Sequence, residues 1–231
     1  MTDFDQYAAD YTDHVDRVVK FSGQDTDFFH DVKVDLLLSI LSRSHSLNSL
    51  SVLDIGCGTG SLAARVAPWV GELFGVDTSE SSIRIASARL PGCRFNLYDG
   101  KHLPFEDDSL DFAFASCVMH HVPPEQWADF VEEMQRVIRP GGCVAVVEHN
   151  PWNPLTRLAV SKCEFDDDAV LLSRRRTTQL LERQSLRIIA NPFILFFPWR
   201  WKLCRSIERL ISQIPFGAQY IVIGEKWRMH T

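Results

Sequence analysis

The residues best suited to chemistry lie in one short stretch, residues 51–60, which reads Ser-Val-Leu-Asp-Ile-Gly-Cys-Gly-Thr-Gly. Its apolar, β-prone beginning predicts a buried strand, and its alternate glycines predict a tight turn directly afterwards. A helix is predicted next, from Ser61 to Ala67, because Pro68 would end it. Glycine lets a backbone approach a ligand closely, and the N–H groups of a helix start attract polar groups. The stretch therefore predicts a binding site for a polar ligand.

The spacing of the three glycines narrows the class of ligand. The dinucleotide fingerprint G-x-G-x-x-G would place its third glycine at position 61, which is Ser61, whereas this chain has Gly60. Asp54 lies two residues before the first glycine, at the end of the predicted strand. A carboxylate there would repel a pyrophosphate but could accept a hydrogen bond from an amino group or a hydroxyl. A strand–helix turn without a ligand is the plain alternative.

A second acidic residue ends the next predicted strand, which spans Glu72 to Asp77. Asp77 follows the glycine turn at close to the spacing, roughly 20 residues, at which a strand-end acid binds a ribose diol. One carboxylate can accept hydrogen bonds from both ribose hydroxyls. The same side chain could instead cap the next helix, beside Ser79 and Ser81, and the two roles are compatible.

Three histidines follow predicted strands and are candidates for acid–base chemistry. His120 and His121 follow a fourth strand predicted at 110–118, and His149 follows a fifth strand predicted at 143–147. Ligands of open α/β sheets bind beyond the carboxyl ends of the strands, which favours a functional role. Neighbours on an extended chain point to opposite sides, so we expect one of the first two histidines to face the pocket and the other to pack beneath the next helix. That arrangement predicts no shared metal ion, and a purely structural role for the pair is the alternative.

The pattern Asp-x-Gly-x-Gly-x-Gly at 54–60 resembles the first motif of the class I S-adenosylmethionine-dependent methyltransferases. Residues 103–112, Leu-Pro-Phe-Glu-Asp-Asp-Ser-Leu-Asp-Phe, are similar to a later segment of that family, with Leu110 in place of its usual aromatic residue. Arg-Pro-Gly-Gly at 139–142 resembles the family's turn before the fifth strand. The resemblance covers about residues 48–150 with specific motifs, and the other strands by their order alone.

This resemblance implies a doubly wound α/β fold with a mostly parallel seven-stranded sheet, an antiparallel last strand and N-terminal capping helices. It also implies S-adenosylmethionine as the methyl donor. Asp99, in the turn after a third strand predicted at 93–98, would accept a hydrogen bond from the adenine amino group, and Tyr11 would reach the site from an N-terminal helix. The implied cofactor-binding residues are Tyr11, Asp54, Gly56, Cys57, Gly58, Asp77, Thr78, Asp99, Gly100 and Cys117, and the candidate catalytic residues are His120, His121 and His149.

Hydrophobic periodicity and turn residues predict the elements that position these groups. We expect residues 148–154, rich in polar residues and proline, to form a rigid loop that recognises the substrate. The predicted helices lie at 3–20, 27–42, 125–138 and 173–184, and the last strand at 218–225. We expect one domain at 1–231, made of an N-terminal helical cap at 1–47, a cofactor-binding core at 48–150 and a C-terminal substrate-side half at 151–231.

The composition of the chain limits the classes of binding partner and the cellular compartment that we expect. The net charge of −6 argues against a nucleic-acid partner, because phosphate contacts need a basic surface. The six cysteines are scattered without a C-x-x-C pair, and the N-terminus lacks the apolar segment of a signal peptide, so we expect reduced thiols and a cytoplasmic protein. Asp166–Asp168 and Arg174–Arg176 are predicted to be solvated faces of loops or helices and not a metal or phosphate site.

An aromatic segment at 193–201 precedes a predicted helical stripe of apolar residues that continues to Ile214, flanked by arginines and a lysine. The apolar run is far shorter than the ~20 residues that a membrane span needs, so no transmembrane segment is predicted. Such a helix could contact a membrane surface or an amphipathic, lipid-linked substrate, although a core helix with a polar outer face is the commoner case.

We therefore expect methyl transfer from S-adenosylmethionine to a small-molecule acceptor, at oxygen, by in-line displacement. A histidine base would assist if the nucleophile is a hydroxyl. The Asn/Asp-Pro-Pro-Tyr motif of amino-methylating nucleic-acid enzymes is absent after the predicted fourth strand, which disfavours a base as acceptor. Two alternatives stay open: a protein that binds S-adenosylmethionine without catalysis, and a nicotinamide-dependent oxidoreductase on the same fold.

Overall fold

The computed structural model describes Arg17 and residues 23–43, 45–163, 166–199 and 202–227. Its strands are β1 (Ser51–Ile55), β2 (Glu72–Asp77), β3 (Arg94–Leu97), β4 (Leu110–Ser116), β5 (Ile138–His149), β6 (Leu186–Ala190), β7 (Phe193–Ile194) and β8 (Gln219–Lys226). Its helices are α1 (Thr26–Leu41), α2 (Ala63–Val66), α3 (Glu80–Arg89), α4 (Trp127–Val137), α5 (Pro154–Val160), α6 (Arg174–Arg183) and α7 (Lys202–Ile211). Short 3₁₀ turns lie at Leu47–Ser49, Ala67–Trp69, Met119–His121 and Pro124–Gln126.

The strands form one sheet in the order β3-β2-β1-β4-β5-β8-β6, and the two-residue β7 pairs with β8 beside this path. Strands β1 to β5 pair in parallel, whereas β8 is antiparallel to β5, β6 and β7. The predicted doubly wound, mostly parallel sheet with an antiparallel last strand is thus confirmed. The strand order reverses between β1 and β4, and a ligand crevice is expected beyond the carboxyl ends of these two strands.

Both faces of the sheet are buried, as the apolar runs of its central strands require. Helical periodicity predicts an apolar stripe on α4 made of Trp127, Phe130, Val131, Met134 and Val137, and all five are buried. On one face of the sheet, this stripe packs with Leu180 and Leu181 of α6 against Leu53, Ala113 and Val144. On the other face, α1 and α2 cover Val52, Phe114 and Ala145.

Several element boundaries differ from their predictions for local reasons. Strand β4 ends at Ser116 because Cys117 adopts a left-handed backbone with φ of 58°. Strand β5 begins at Ile138 and so includes the Arg-Pro-Gly-Gly segment predicted to be a turn. Helix α2 has four residues and passes into a 3₁₀ turn at Pro68.

Helix α5 lies where the sequence predicts the end of a polar loop. Asn153 caps it by accepting the N–H groups of Leu155 and Thr156, and Pro154 occupies its first turn. Both residues are start signals that could have predicted the helix. Of the predicted helix at 3–20 the structure describes only Arg17, and Tyr11 lies outside the described residues.

Within the described ranges, none of the helices combines the length and the apolarity that crossing a bilayer would require.

Candidate cofactor and acceptor site

The glycine turn after β1 is shaped by close packing on one side and open space on the other. Gly56 has a φ of 67°, and a Cβ there would lie 2.5 Å from Val118 Cγ2, so a larger residue does not fit. Gly58 also has a positive φ, of 52°, but a Cβ there would meet nothing within 4 Å. The turn therefore packs tightly against the β4 side and leaves room for a ligand above Gly58.

Asp54 lies at the end of β1 with its carboxyl group buried in this turn. Its Oδ2 atom makes no hydrogen bond. Burial, and then the negative charge of Asp77, raise the pKa of Asp54 well above its usual value. A buried carboxyl oxygen without a hydrogen-bond partner is unfavourable, so a ligand that donates an N–H or O–H to Asp54 Oδ2 would be held strongly.

Asp77, at the end of β2, is tied to the glycine turn. Its Oδ2 accepts the N–H of Gly58 at 2.8 Å, and its Oδ1 accepts the N–H of Ser79 at 2.9 Å. The capping role that the sequence left open belongs to Ser79, whose hydroxyl accepts the N–H of Ser82 at the start of α3. The Asp77 carboxylate is half-buried and stays within reach of a ligand on the turn.

Asp99 follows β3 as predicted, in an exposed turn. It accepts the N–H groups of Lys101 and His102 at 2.8 and 2.7 Å, and these bonds, His102 first, lower the pKa of Asp99 to about 2. A Cβ on Gly100 would lie 3.3 Å from Thr78 Cγ2, so the turns after β2 and β3 adjoin. Asp77, Thr78, Asp99 and Gly100 therefore form a rim that adjoins the cavity described next through the Asp77–Gly58 contact, although none of the four lines that cavity.

A cavity of about 600 Å³ opens beyond the carboxyl ends of β1, β4 and β5. Of the predicted residues, it is lined by Asp54, Gly56, Cys57, Gly58, Cys117, His120, His121 and His149. Its walls are mainly apolar and come from α1, α5 and the aromatic segment, with Phe28, Phe29, Leu155, Val160, Phe196, Phe197 and Trp199. The structure therefore brings the glycine turn and all three candidate histidines to one cavity.

Lys33 and Gln219 are polar residues of the cavity that were not predicted from the sequence. Lys33, on the buried face of α1, donates to Ser116 Oγ at 3.1 Å and to Cys117 Sγ at 3.5 Å. Gln219, the first residue of β8, donates to Cys117 Sγ at 3.4 Å. The position of Lys33 between Val32 and Val34, in an apolar part of the predicted helix, could have indicated that it is buried. No local sequence pattern indicates that Gln219 reaches the cavity.

The Cys117 thiol lies beside the side chains of Lys33 and His149. Burial by itself would raise the pKa of Cys117, but the charge of Lys33 and then the interaction with His149 outweigh it and lower this pKa to about 6. Burial raises the pKa of Cys57, another thiol that lines the cavity, above its usual value. Cys117 is therefore expected to be a thiolate at neutral pH.

We expect alkylation of Cys117 by iodoacetamide, followed by peptide mass spectrometry, to titrate with a midpoint near pH 6. Lys33→Met removes the largest charge that favours the thiolate, so it should move the midpoint to higher pH. Cys57 serves as the internal control and should react slowly in both proteins. An unchanged midpoint in the Lys33 variant would contradict the assignment of Lys33 as the group that ionises Cys117.

His120 is held by a buried carboxylate from β5. Its Nδ1 lies 2.6 Å from Glu148 Oε2, and both side chains are only 1% exposed. Glu148 Oε1 also accepts the N–H groups of Val118 and Met119, at 3.0 and 2.7 Å. Although burial would raise it, the charge and hydrogen bond of His120 lower the pKa of Glu148 to about 2, and Glu148 in turn raises the pKa of His120 despite its burial. Glu148 therefore joins the end of β4 to the end of β5 and is not part of a loop.

The expectation that His120 and His121 face different ways is wrong. Both lie on the 3₁₀ turn at Met119–His121 and not on extended chain, and their ring centroids are 4.1 Å apart. Asp166 was expected to be solvated, yet its Oδ1 lies 3.5 Å from His120 Nε2 and 3.4 Å from His121 Nε2, with 9% of its side chain exposed. The sequence missed Asp166 because its neighbours Asp167 and Asp168 are exposed and the run reads as one solvated patch.

His149 ends β5 and lines the cavity from the other side. Its Nδ1 lies 3.3 Å from Gln219 Nε2, and its ring centroid is 5.2 Å from that of His120. The residues after it are more structural than expected, since Asn150 is fully buried and donates to the carbonyl groups of Pro215 and Gly217.

The sequence is similar to known methyltransferases. A family profile described as a methyltransferase domain matches residues 52–142. The chain is 36% identical over 104 residues to the methyltransferase GfsG of Streptomyces halstedii, across 42% of this chain and 37% of that protein. It is also 36% identical over 117 residues to the ubiquinone/menaquinone biosynthesis C-methyltransferase UbiE of Ralstonia nicotianae, across 46% of each. The chain thus spans less than half the length of these relatives.

Solved structures extend the likeness beyond the matched core. A SAM-dependent methyltransferase from Archaeoglobus fulgidus superposes with a TM-score of 0.63 and 18% identity, over 84% of this chain and 94% of that one. Geranyl diphosphate C-methyltransferase from Streptomyces coelicolor, solved with Mg²⁺, geranyl diphosphate and S-adenosyl-L-homocysteine, gives a TM-score of 0.64 at 14% identity, over 85% and 77% of the chains. At these identities the likeness establishes the fold alone.

Proposed function

We propose that this chain, whose residues 52–142 form a methyltransferase domain of the class I S-adenosylmethionine-dependent fold, transfers a methyl group from that cofactor to a small-molecule acceptor. The observation that carries the proposal is the turn formed by Asp54, Gly56, Gly58 and Asp77 at the edge of the cavity. The turn offers the carboxyl groups of Asp54 and Asp77, and open space above Gly58, at the place where the family resemblance implies that the cofactor binds.

The residues present fit this cofactor. The unpaired Asp54 Oδ2 suits its amino group, and Asp77 suits the ribose hydroxyls. Asp99 would accept the adenine amino group on the exposed rim, with Thr78 and Gly100 beside it. When bound, S-adenosylmethionine supplies a methyl group on a sulfonium sulfur, which leaves as a neutral thioether when the acceptor takes the methyl group.

The acceptor we propose is amphipathic, with an apolar body and a reacting hydroxyl. Leu155 and Trp199 line the cavity and are each at least half exposed, so the mouth of the cavity is apolar. A lipid-linked or quinol-like molecule suits such walls, and UbiE is named for quinone biosynthesis. The cavity, at about 600 Å³, lies in the range of small-molecule sites, ~300–1,000 Å³.

We propose that the three parts predicted for residues 1–231 act as one domain with divided tasks. The core at 48–150 would bind the cofactor. Helix α1, from the N-terminal cap, and Leu195–Trp199, from the C-terminal half, would enclose the acceptor, since both line the cavity.

His149 is the histidine that we propose as general base. His120 and His121 both face Asp166, whereas His149 contacts Gln219 and lies beside Cys117. It would accept the proton of the acceptor hydroxyl while the walls exclude water.

His149→Asn should lower the rate of methyl transfer by about 10²–10⁴-fold and change S-adenosylmethionine affinity little, because general-base catalysis acts on the reaction and not on cofactor binding. The measurement is transfer of labelled methyl groups under saturating cofactor. His45→Asn is the matched control, since His45 contacts Gly141 O near the amino end of β5, away from the cavity. An unchanged rate in the His149 variant would rule out its role as base.

The proposal is tested by calorimetric titration of S-adenosylmethionine, followed by transfer assays with hydroxylated quinols that carry apolar chains. We expect micromolar binding and transfer to at least one such acceptor. Binding without transfer to any acceptor would favour a regulatory role. Failure to bind S-adenosylmethionine, together with binding of a nicotinamide nucleotide, would favour the oxidoreductase alternative.

A further inference from the structure

His120, His121 and Asp166 form a compact set of metal-ligating groups on the cavity wall. Their ligand atoms lie within 4.8 Å of one another, and within the described part of the chain this is the one such group of three or more. The cavity reaches all three side chains. The set joins two neighbouring residues after β4 to a residue more than forty positions later.

The distances suit one ion held by three side chains. Ligand atoms bound at about 2.0–2.1 Å around a tetrahedral ion lie roughly 3.3–3.4 Å from each other. Asp166 Oδ1 lies 3.5 Å from His120 Nε2 and 3.4 Å from His121 Nε2. The ligand atoms of the whole set lie within 4.8 Å of one another, so one ion could contact all three side chains after they move closer together.

The surroundings hold the ligands in place. The Nδ1 of His120 contacts the buried Glu148 at 2.6 Å, which leaves Nε2 to face Asp166. A carboxylate behind a ligating histidine is the usual outer support of a zinc site, because it fixes the ring and its tautomer. The N–H of Val170 donates to the carbonyl of His120 at 2.8 Å, and so it ties the Asp166 segment to the histidine turn.

We propose that His120 Nε2, His121 Nε2 and Asp166 Oδ1 bind one divalent transition-metal ion of the Zn²⁺ type. Two histidines and one carboxylate leave at least one coordination position open, as in catalytic zinc sites. Because all three side chains line the cavity, an acceptor could reach that position, and the ion would then bind its hydroxyl oxygen and lower the pKa of that hydroxyl. The proposed metal binding does not depend on the proposed function, whereas binding of the acceptor to the ion rests on the proposed methyl transfer.

The first test is Zn²⁺ binding to the chelator-treated protein, measured by competition with a metal indicator and by elemental analysis. We expect one ion per chain. His121→Asn and Asp166→Asn should each weaken binding more than about 100-fold, since loss of an outer supporting group alone costs ~10–100-fold. Asp167→Asn removes an exposed carboxylate next in sequence and should leave binding unchanged. Absence of stoichiometric uptake, or wild-type affinity in both ligand variants, would overturn the proposal.

Cobalt substitution tests the ligand set in the unmodified protein. Co²⁺ bound by two imidazoles and a carboxylate should give visible d–d bands without a thiolate charge-transfer band. A thiolate band would place the ion at Cys57, Cys117 or Cys163, which also line the cavity, and would overturn the assignment.

Cofactor titration of the metal-free protein separates this proposal from the proposed function. If Zn²⁺ binds at the three side chains but S-adenosylmethionine does not bind, the metal site stands and methyl transfer fails. If the cofactor binds and Zn²⁺ does not, the metal site is wrong and the proposed methyl transfer is unaffected.

Discussion

Glu148→Ala is expected to lower the free energy of unfolding by about 3–5 kcal/mol, the cost of breaking a buried ion pair by removing one partner. The substitution would leave His120 Nδ1 and the N–H groups of Val118 and Met119 without their acceptor in the interior. Each unsatisfied buried donor costs about 1–3 kcal/mol. Urea denaturation in the presence of a chelator is the measurement, so that metal binding does not contribute.

Glu225→Ala is the matched control for this experiment. Glu225 lies on β8, the strand next to β5, and its partner Arg187 is exposed. Ion pairs with an exposed partner contribute little to stability, so this variant should remain close to the wild type. Should Glu148→Ala fail to fold, Glu148→Gln offers a milder change with the same shape. A loss below about 1 kcal/mol in the Glu148 variants would contradict the structural role given to this carboxylate.

Asp77→Ala is expected to weaken S-adenosylmethionine binding by about 100-fold or more. A charge-assisted hydrogen bond contributes about 1.5–3 kcal/mol, and two bonds to the ribose hydroxyls would be lost. Each 1.4 kcal/mol corresponds to about tenfold in affinity. Asp77 also accepts the N–H of Gly58, so the variant should loosen the glycine turn as well. Calorimetric titration of both proteins measures the effect.

Glu80→Ala separates a specific loss from a general change of charge. Glu80 is an exposed carboxylate in the first turn of α3, three residues after Asp77. It should bind the cofactor like the wild type. If Asp77→Ala retains affinity within about threefold while remaining folded, the ribose role of Asp77 is wrong and the rim after β2 does not hold the cofactor.

The sequence alone predicted the features that depend on local pattern. Strand β2 spans Glu72–Asp77 as predicted, and α4 buries the predicted stripe, because each follows from the spacing of apolar residues along its own segment. Ser173, at which the helix predicted at 173–184 begins, caps α6 by accepting the N–H of Arg176. The glycine turn was identifiable because glycine is the residue that tolerates its positive φ angles.

Only the tertiary structure decided how the polar residues of the site meet. His120 and His121 share one side because Cys117 leaves the strand in a left-handed conformation and a 3₁₀ turn follows. Extended chain, on which the opposite prediction rested, ends at Ser116.

Asp166 and Lys33 reach the cavity from segments far from β4 in sequence. Asp166 approaches the histidines because the segment around Val170 folds back onto His120. Lys33 reaches the cavity because α1 packs over the carboxyl end of β4. Local sequence pattern does not predict these contacts, because they form only when folding brings distant segments together and buries charged groups beside each other. The sequence thus determined the elements and the cofactor turn, and long-range packing determined which charges face one another in the cavity.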